Sequence, residues 1–153
     1  MHTYRSARLF ILDPADRLLL FRYDDGRTPP FWATVGGRLL EGERYREAAA
    51  RELAEETGFT APIGPRLRER TAVYAVADEA PARWIERYYL VRCAGGAPSH
   101  DGWTAEERTT IRDERWWSLA ELRAQQDPVL PEWLPDLFAT VLAAEGGSGG
   151  SGG

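Results

Sequence analysis

The chain opens with two apolar runs. Residues 4–12 (YRSARLFIL) and 18–23 (LLLFRY) are rich in residues that suit a half-buried pleated surface, and both read as strands. Between them Asp13-Pro14-Ala15-Asp16 reads as a turn with proline at its favoured second position. Residues 24–30 are polar and carry two prolines, hence a loop, and residues 31–35 (FWATV) form a short strand. That strand delivers the chain to Gly36-Gly37, where missing side chains permit close backbone approach. Residues 44–57 then switch to Arg, Glu, Ala and Leu with no Gly or Pro, which predicts a helix. Gly58 stops it, because glycine accepts the left-handed conformation at a helix C-terminus.

Residues 66–76 and 83–93 read as strands joined by a hairpin loop over 77–82, which carries Asp78, Glu79 and Pro81. Residues 94–110 form a longer loop ending in a short helical turn; loops of this length commonly serve as lids or binding segments. Arg115-Trp116-Trp117 is a short strand, and Ser118 with Glu121 makes a capping box for the helix after it. Residues 131–144 hold apolar positions at helical spacing, with the helix starting near Pro135. Strands, helix, strands, helices: this order predicts an α/β or α+β sandwich with a mixed sheet between helices.

On the helix over 44–57, Ala49, Ala50 and Leu53 form an apolar arc at 100° per residue, while Glu52, Glu55 and Glu56 share the neighbouring, displayed arc. Like charges at i,i+4, here Glu52 and Glu56, cost roughly 0.2–0.5 kcal/mol in an isolated helix. A divalent cation reverses that sign, and hard carboxylate oxygens suit Mg²⁺, or Mn²⁺ as an alternative. Taken alone, three such glutamates read more readily as a solvated acidic face with an Arg51–Glu55 pair, since charge runs are usually solvated.

The 153 residues favour one domain, here 1–145, and the final GGSGGSGG over 146–153 reads as a flexible linker or tag remnant. A net charge of −5 gives no basic field for nucleic acid. The single cysteine, Cys93, excludes an internal disulfide and reads as a small hydrophobe at a strand end. No apolar run approaches the about 18 residues that span a membrane, so the expected location is cytoplasmic.

Residues 37–59 (GRLLEGERYREAAARELAEETGF) follow the spacing G-x5-E-x7-R-E-U-x-E-E-x-G-U, with U a bulky apolar residue, and every fixed position is filled. The stretch resembles the Nudix box, which places the chain in likeness to the Nudix (MutT-like) hydrolases. That resemblance implies an α/β/α sandwich around a mixed β-sheet. It also implies a Mg²⁺-dependent hydrolase that cleaves the pyrophosphate of a nucleoside diphosphate linked to a moiety X. Carried over position by position, Glu52, Glu55 and Glu56 match the metal-binding glutamates, with the Gly37 carbonyl as a further ligand. One of the three doubles as general base, and Glu55 and Glu52 are the candidates. Arg51 and Glu43 match the pair that braces loop and helix. One departure is Val35, where many relatives of the family carry proline before the glycine pair.

A further acid often comes from a downstream loop in the family; Glu106, Glu107 and Glu114 are the candidates, with Glu107 preferred for its place in the long loop. Arg22 and Arg38 are candidate phosphate-binding side chains, since the guanidinium fork fits phosphate, with Arg27 a weaker one. Trp32 is a candidate for stacking on a base, as are Phe31, Tyr74, Trp103 and Trp116, although aromatics at strand spacing are more often core. His2 and His100 lack metal-ligand spacing. The family's ADP-ribose proline is missing near position 75, and Tyr74 lies close to the dinucleoside-polyphosphate tyrosine. Nucleoside triphosphates (oxidised ones included) and dinucleoside polyphosphates therefore lead. The alternative is a Nudix-fold nucleotide-binding or regulatory module without turnover, which tends to lose box glutamates. Expected partners are a small-molecule nucleotide and neither nucleic acid nor membrane; oligomeric state is open, homodimer included.

Overall fold

A computed structural model describes residues 1–75 and 79–151, with the side chains of 146–151 left aside. The elements are β1 (Thr3–Leu12), β2 (Leu18–Tyr23), β3 (Phe31–Ala33), β4 (Val35–Arg38), α1 (Tyr45–Thr57), β5 (Arg66–Tyr74), β6 (Ala82–Arg92), α2 (Ala105–Thr110), β7 (Ile111–Trp117), α3 (Leu119–Ala124) and α4 (Leu134–Ser151). The strands join in one sheet of order β3-β2-β1-β6-β5, with β4 on β1 and β7 on β2. β1 and β6 run parallel from Thr3↔Arg83 to Leu12↔Arg92, and the other pairs are antiparallel, so the sheet is mixed as expected.

The period of two along the strands builds two cores. On β1, Ala7, Leu9 and Ile11 face α1 with Leu19, Phe21, Val35, Ala48, Ala49, Leu53 and Val91. Phe10 and Leu12 point the other way and pack with Leu18, Leu20, Trp32, Trp117 and the α3–α4 residues Leu122, Leu134 and Phe138. The sheet is thus buried on both faces, which is the α/β/α sandwich.

Several boundaries differ from those the sequence predicts. The strand over 31–35 ends at Ala33, and Gly36-Gly37 lie inside β4, where they pair with Arg8 and Ala7. α1 starts at Tyr45 with Arg44 as its N-cap. β7 has seven residues instead of three, because Asp113 and Glu114 pair with Arg22 and Phe21 despite their polarity, and Ile111 pairs with Tyr23 across a register shift at Arg112. Ser118 Oγ accepts from Glu121 N at 3.1 Å and Glu121 returns the bond, the expected capping box. Val76, the start of the loop over 77–82 including Asp78, and the end of the segment 146–153 fall outside the described residues, and the reading of that segment as a linker stays a proposal.

Candidate functional site

The box helix does not show its carboxylates to water in the way the arc argument predicts. Ala48, Ala49 and Leu53 make the buried stripe, and Ala50 is exposed. Glu52 and Glu56 flank that stripe and are themselves buried, 8% and 3% exposed, while Glu55 lies open. Their cover is a sheet edge on one side and the long loop on the other. A Cβ on Gly37 would stand 2.5 Å from Glu52 Oε1, so the glycine is what leaves the Glu52 carboxylate where it is. At the helix end Gly58 has φ +73° and donates to Ala54 O at 2.9 Å, the left-handed cap that its sequence position predicts.

Arg51 is the hub. Its Nε and Nη2 grip the two oxygens of Glu43 at 2.8 and 2.9 Å, and Nη2 also donates to the Arg38 carbonyl at 2.9 Å. Its Nη1 donates to Glu52 Oε1 at 2.9 Å and Glu55 Oε2 at 3.0 Å. All five N–H groups are engaged, a task that lysine's point charge cannot match. Glu43 in turn accepts from Leu40 N at 2.9 Å, so the pair ties the loop before α1 to the helix. Hydrogen bonding from Arg51 holds the Glu43 carboxyl below the usual carboxylate range.

Glu56 is the exception within this paired set. Its Oε2 is buried with no hydrogen-bond partner. Burial first, then the charges of Glu52 and Glu107, push its pKa well above the carboxylate range. Burial also raises Glu52, against the pull of Glu56 and Arg51. Glu56 is therefore the member that keeps the proton. Glu107 arrives from α2, where its Oε1 accepts from Thr104 N at 2.8 Å, and Thr104 Oγ1 accepts from Glu107 N. Glu114 is instead bonded to His100 Nε2 at 2.7 Å, and Glu106 is exposed; of the three candidates it is Glu107 whose charge acts on Glu56.

Sequence reasoning missed Tyr23. It follows Leu19 and Phe21 on the α1 face of β2, a place that the strand period alone would have given. Burial, then Glu56, raise its pKa far above the ordinary phenol value, so it stays neutral among the acids.

The substrate-binding candidates do not gather at this cluster. Trp32 is 4% exposed in the α4-side core and donates to Asp127 Oδ2 at 3.3 Å. Arg22 meets the same carboxylate at 3.1 Å. Arg38 stacks its guanidinium over the Tyr4 ring at 4.0 Å and the Trp84 ring at 4.9 Å, and pairs with Glu79. Tyr74 stacks flat on Trp84, centroids 4.9 Å apart, and Cys93 is half-buried against the α1-side core. Sequence spacing gives no sign of a second ionic group. Glu86 on β6, 1% exposed, accepts from Arg8 Nε at 3.0 Å and Arg70 Nε at 2.9 Å, on the α4 face. Burial alone would raise its pKa, but the two arginines outweigh that and hold it low.

Among the described residues no three acid, His or Cys side chains already stand as a ready metal cage. The donor set nevertheless fits a hard divalent cation. A partnerless buried carboxylate oxygen sits among acids that repel one another, and a cation relieves both costs. Glu52, Glu56 and Glu55, with the adjacent Gly37 carbonyl, are the residues that would hold it.

Comparison with known proteins places these features in context. Residues 2–137 match the profile described as NUDIX domain. A Methanosarcina mazei protein named prenyl-diphosphate phosphatase is 30% identical over 132 residues, 79% of this chain and 67% of its own. A Bacillus subtilis protein named putative 8-oxo-dGTP diphosphatase is 35% identical over 63 residues, 41% of this chain and 40% of its own length. The match therefore spans less than half of that relative. The crystal structure of a MutT protein from Methanosarcina mazei superposes with a TM-score of 0.68 at 18% identity, covering 94% of this chain and 96% of that one, which speaks to the fold.

Proposed function

The chain belongs to the NUDIX family and is a hydrolase of phosphoric anhydride bonds, and we propose that with Mg²⁺ it cleaves the pyrophosphate of a nucleoside diphosphate linked to a moiety X. The observation that carries the reading is the partnerless, buried Glu56 Oε2 between Glu52 and Glu107, at the end of a complete box. When bound there, Mg²⁺ would neutralise phosphate charge and make a water nucleophilic at neutral pH. The chain's own residues do the rest. Arg51 holds Glu52 and Glu55 in place through Nη1 and fixes the helix to the loop through Glu43. Glu55 is the open carboxylate of the box, and of the three it is the one placed to take a proton from water at the surface. Tyr23 and the α1-side core exclude solvent from the buried pair.

The named activity of the Bacillus relative supports nucleoside triphosphates, oxidised ones included, as the leading X class. The archaeal relative's name adds prenyl diphosphate as a substrate to separate from these. A panel of nucleoside triphosphates, 8-oxo-dGTP, dinucleoside polyphosphates, ADP-ribose, sugar nucleotides and prenyl diphosphate, monitored by phosphorus-31 NMR, tests the reading. New phosphate signals that require Mg²⁺ and vanish in Glu55→Gln and Glu56→Gln are expected. Turnover that persists in both variants would remove these residues from the chemistry. Tight binding with no new signal across the panel would favour the binding-module alternative, which the intact box glutamates speak against. No helix among the described residues is long and apolar enough to cross a membrane, and a cytoplasmic location remains part of the proposal.

A further inference from the structure

The last carbonyls of an α-helix have no partner within the helix. At the end of α1 the long loop after β6 claims them one after another. Gly102 passes so close that a Cβ there would stand 2.4 Å from Glu55 O. The Trp103 indole N–H donates to Glu56 O at 2.8 Å, and Ser99 N donates to Thr57 O at 2.8 Å. The Trp103 ring meets Phe21 edge-on with centroids 5.6 Å apart and carries His100 stacked at 4.0 Å. The segment also closes on itself, since His100 O accepts from Trp103 N at 3.1 Å and from Arg108 Nη2 at 2.8 Å.

The residues just after Trp103 give this docking its meaning. Thr104 is the N-cap of α2, and Glu107, three residues on, is locked to it by reciprocal bonds of 2.8 and 3.1 Å. No slack lies between the indole and the carboxylate. We propose that Trp103 is a positioning residue: by reading the Glu56 carbonyl it sets Glu107 against the Glu56 carboxyl and so completes the acid cluster. The inference rests on the reading of that cluster as a cation site. A residue from a distant loop is thereby registered onto the box through the backbone of the glutamate it serves.

The test is a double-mutant cycle read by Mn²⁺ affinity, measured from the free-ion EPR signal, alongside turnover of whichever panel substrate is cleaved. Trp103→Phe keeps an aromatic ring in the place but removes the indole N–H together with its five-membered ring. Changes to groups that orient metal ligands commonly cost 10–100-fold, so we expect about tenfold weaker Mn²⁺ binding and a matching fall in kcat, with KM moving less than about threefold. Glu107→Gln should show a loss of similar size. The double variant should be no worse than Glu107→Gln within about twofold, because the tryptophan acts through that carboxylate. Gly102→Ala, which forces the segment off the Glu55 carbonyl, should reproduce the defect and serves if Trp103→Phe melts early. Normal Mn²⁺ affinity in both Trp103→Phe and Gly102→Ala, or fully additive losses in the cycle, overturns the inference while leaving the cation site intact. Unchanged affinity and turnover in Glu107→Gln overturns the role of Glu107 itself, and the inference with it.

Discussion

Glu56→Gln separates the cost of the acid cluster from its use. In the metal-free protein Glu56 is buried without a partner for Oε2, and it faces Glu52 and Glu107. Its folded-state pKa lies above its unfolded one, so the protonated carboxyl favours the fold. That contribution is whole below the unfolded value of about 4.3 and is lost as pH rises toward the folded value. While the folded chain holds the proton and the unfolded chain has released it, each pH unit costs about 1.4 kcal/mol. For a domain of this size that is roughly 3–6 °C in Tm per pH unit. The glutamine of the variant cannot ionise and escapes the loss. In EDTA, calorimetry from about pH 4 to about pH 8 should find the variant near wild type at the acid end and increasingly more stable above it. Saturating Mg²⁺ should reverse the order, since wild type gains about 2.7 kcal/mol at a hundred times Kd and the variant loses a ligand for it. A variant less stable than wild type by a constant margin at every pH, with or without metal, would refute the strained-cluster account.

Neighbouring contacts carry two further predictions. A Cβ on Gly36 would strike the Ala7 carbonyl at 2.2 Å, whereas one on Gly37 would strike the movable end of Glu52 at 2.5 Å. Gly36→Ala should therefore destabilise by about 2–4 kcal/mol in urea titration, and Gly37→Ala should melt within about 1 kcal/mol of wild type yet lose about 10–100-fold in turnover; the opposite assignment would show that the pair serves β4 alone. Glu86→Gln leaves Arg8 and Arg70 uncompensated on the α4 face. Because both arginines keep some exposure, 20% and 27%, the loss should be about 2–4 kcal/mol rather than the full value for a buried pair, seen as a lower urea midpoint with unchanged slope. Since Glu86 is held below the carboxylate range, this contribution is present above about pH 4.3 and fades as pH falls through its folded value; a Glu86→Gln penalty that persists undiminished in acid would argue against the ion pairs as its source.

These sites differ in how readable they are from the chain alone. The box helix, its Gly58 cap and the Ser118 capping box are local, so neighbours in sequence carry the whole signal. The alternation that separates Leu9 and Ile11 from Phe10 and Leu12 likewise fixes both cores. The features that differ depend on contacts that no local pattern contains. Helical periodicity sends Glu52 and Glu56 to water because it takes charge as a proxy for exposure. Only the passage of glycine-bearing β4 and the docking of the Trp103 loop bury them. The start of β7 is masked by the polar Asp113 and Glu114, whose strand conformation is imposed by pairing with β2. Arg8 and Glu86, 78 positions apart, meet because β1 and β6 run parallel in register, a relation set by the sheet as a whole.

The same division explains why the chemistry was easier to read than the substrate. Gly37, Glu43, Arg51, Glu52, Glu55 and Glu56 lie within one loop and one helix, and Arg51 alone bonds to Glu43, Glu52 and Glu55. A motif of that kind survives as spacing. The side chains offered for binding X are scattered by the fold: Trp32 and Arg22 go to the α4 face with Asp127, and Arg38 goes to the Tyr4–Trp84 stack. Candidate groups of that sort become neighbours of a substrate only through the three-dimensional sheet, and their residue types depend on the shape of X rather than on the demands of phosphate and metal. Phosphoryl chemistry needs the same few carboxylates whatever X is, so it leaves a fixed signature in sequence. Recognition of X leaves one only in shape, and the substrate panel is the measurement that reads it.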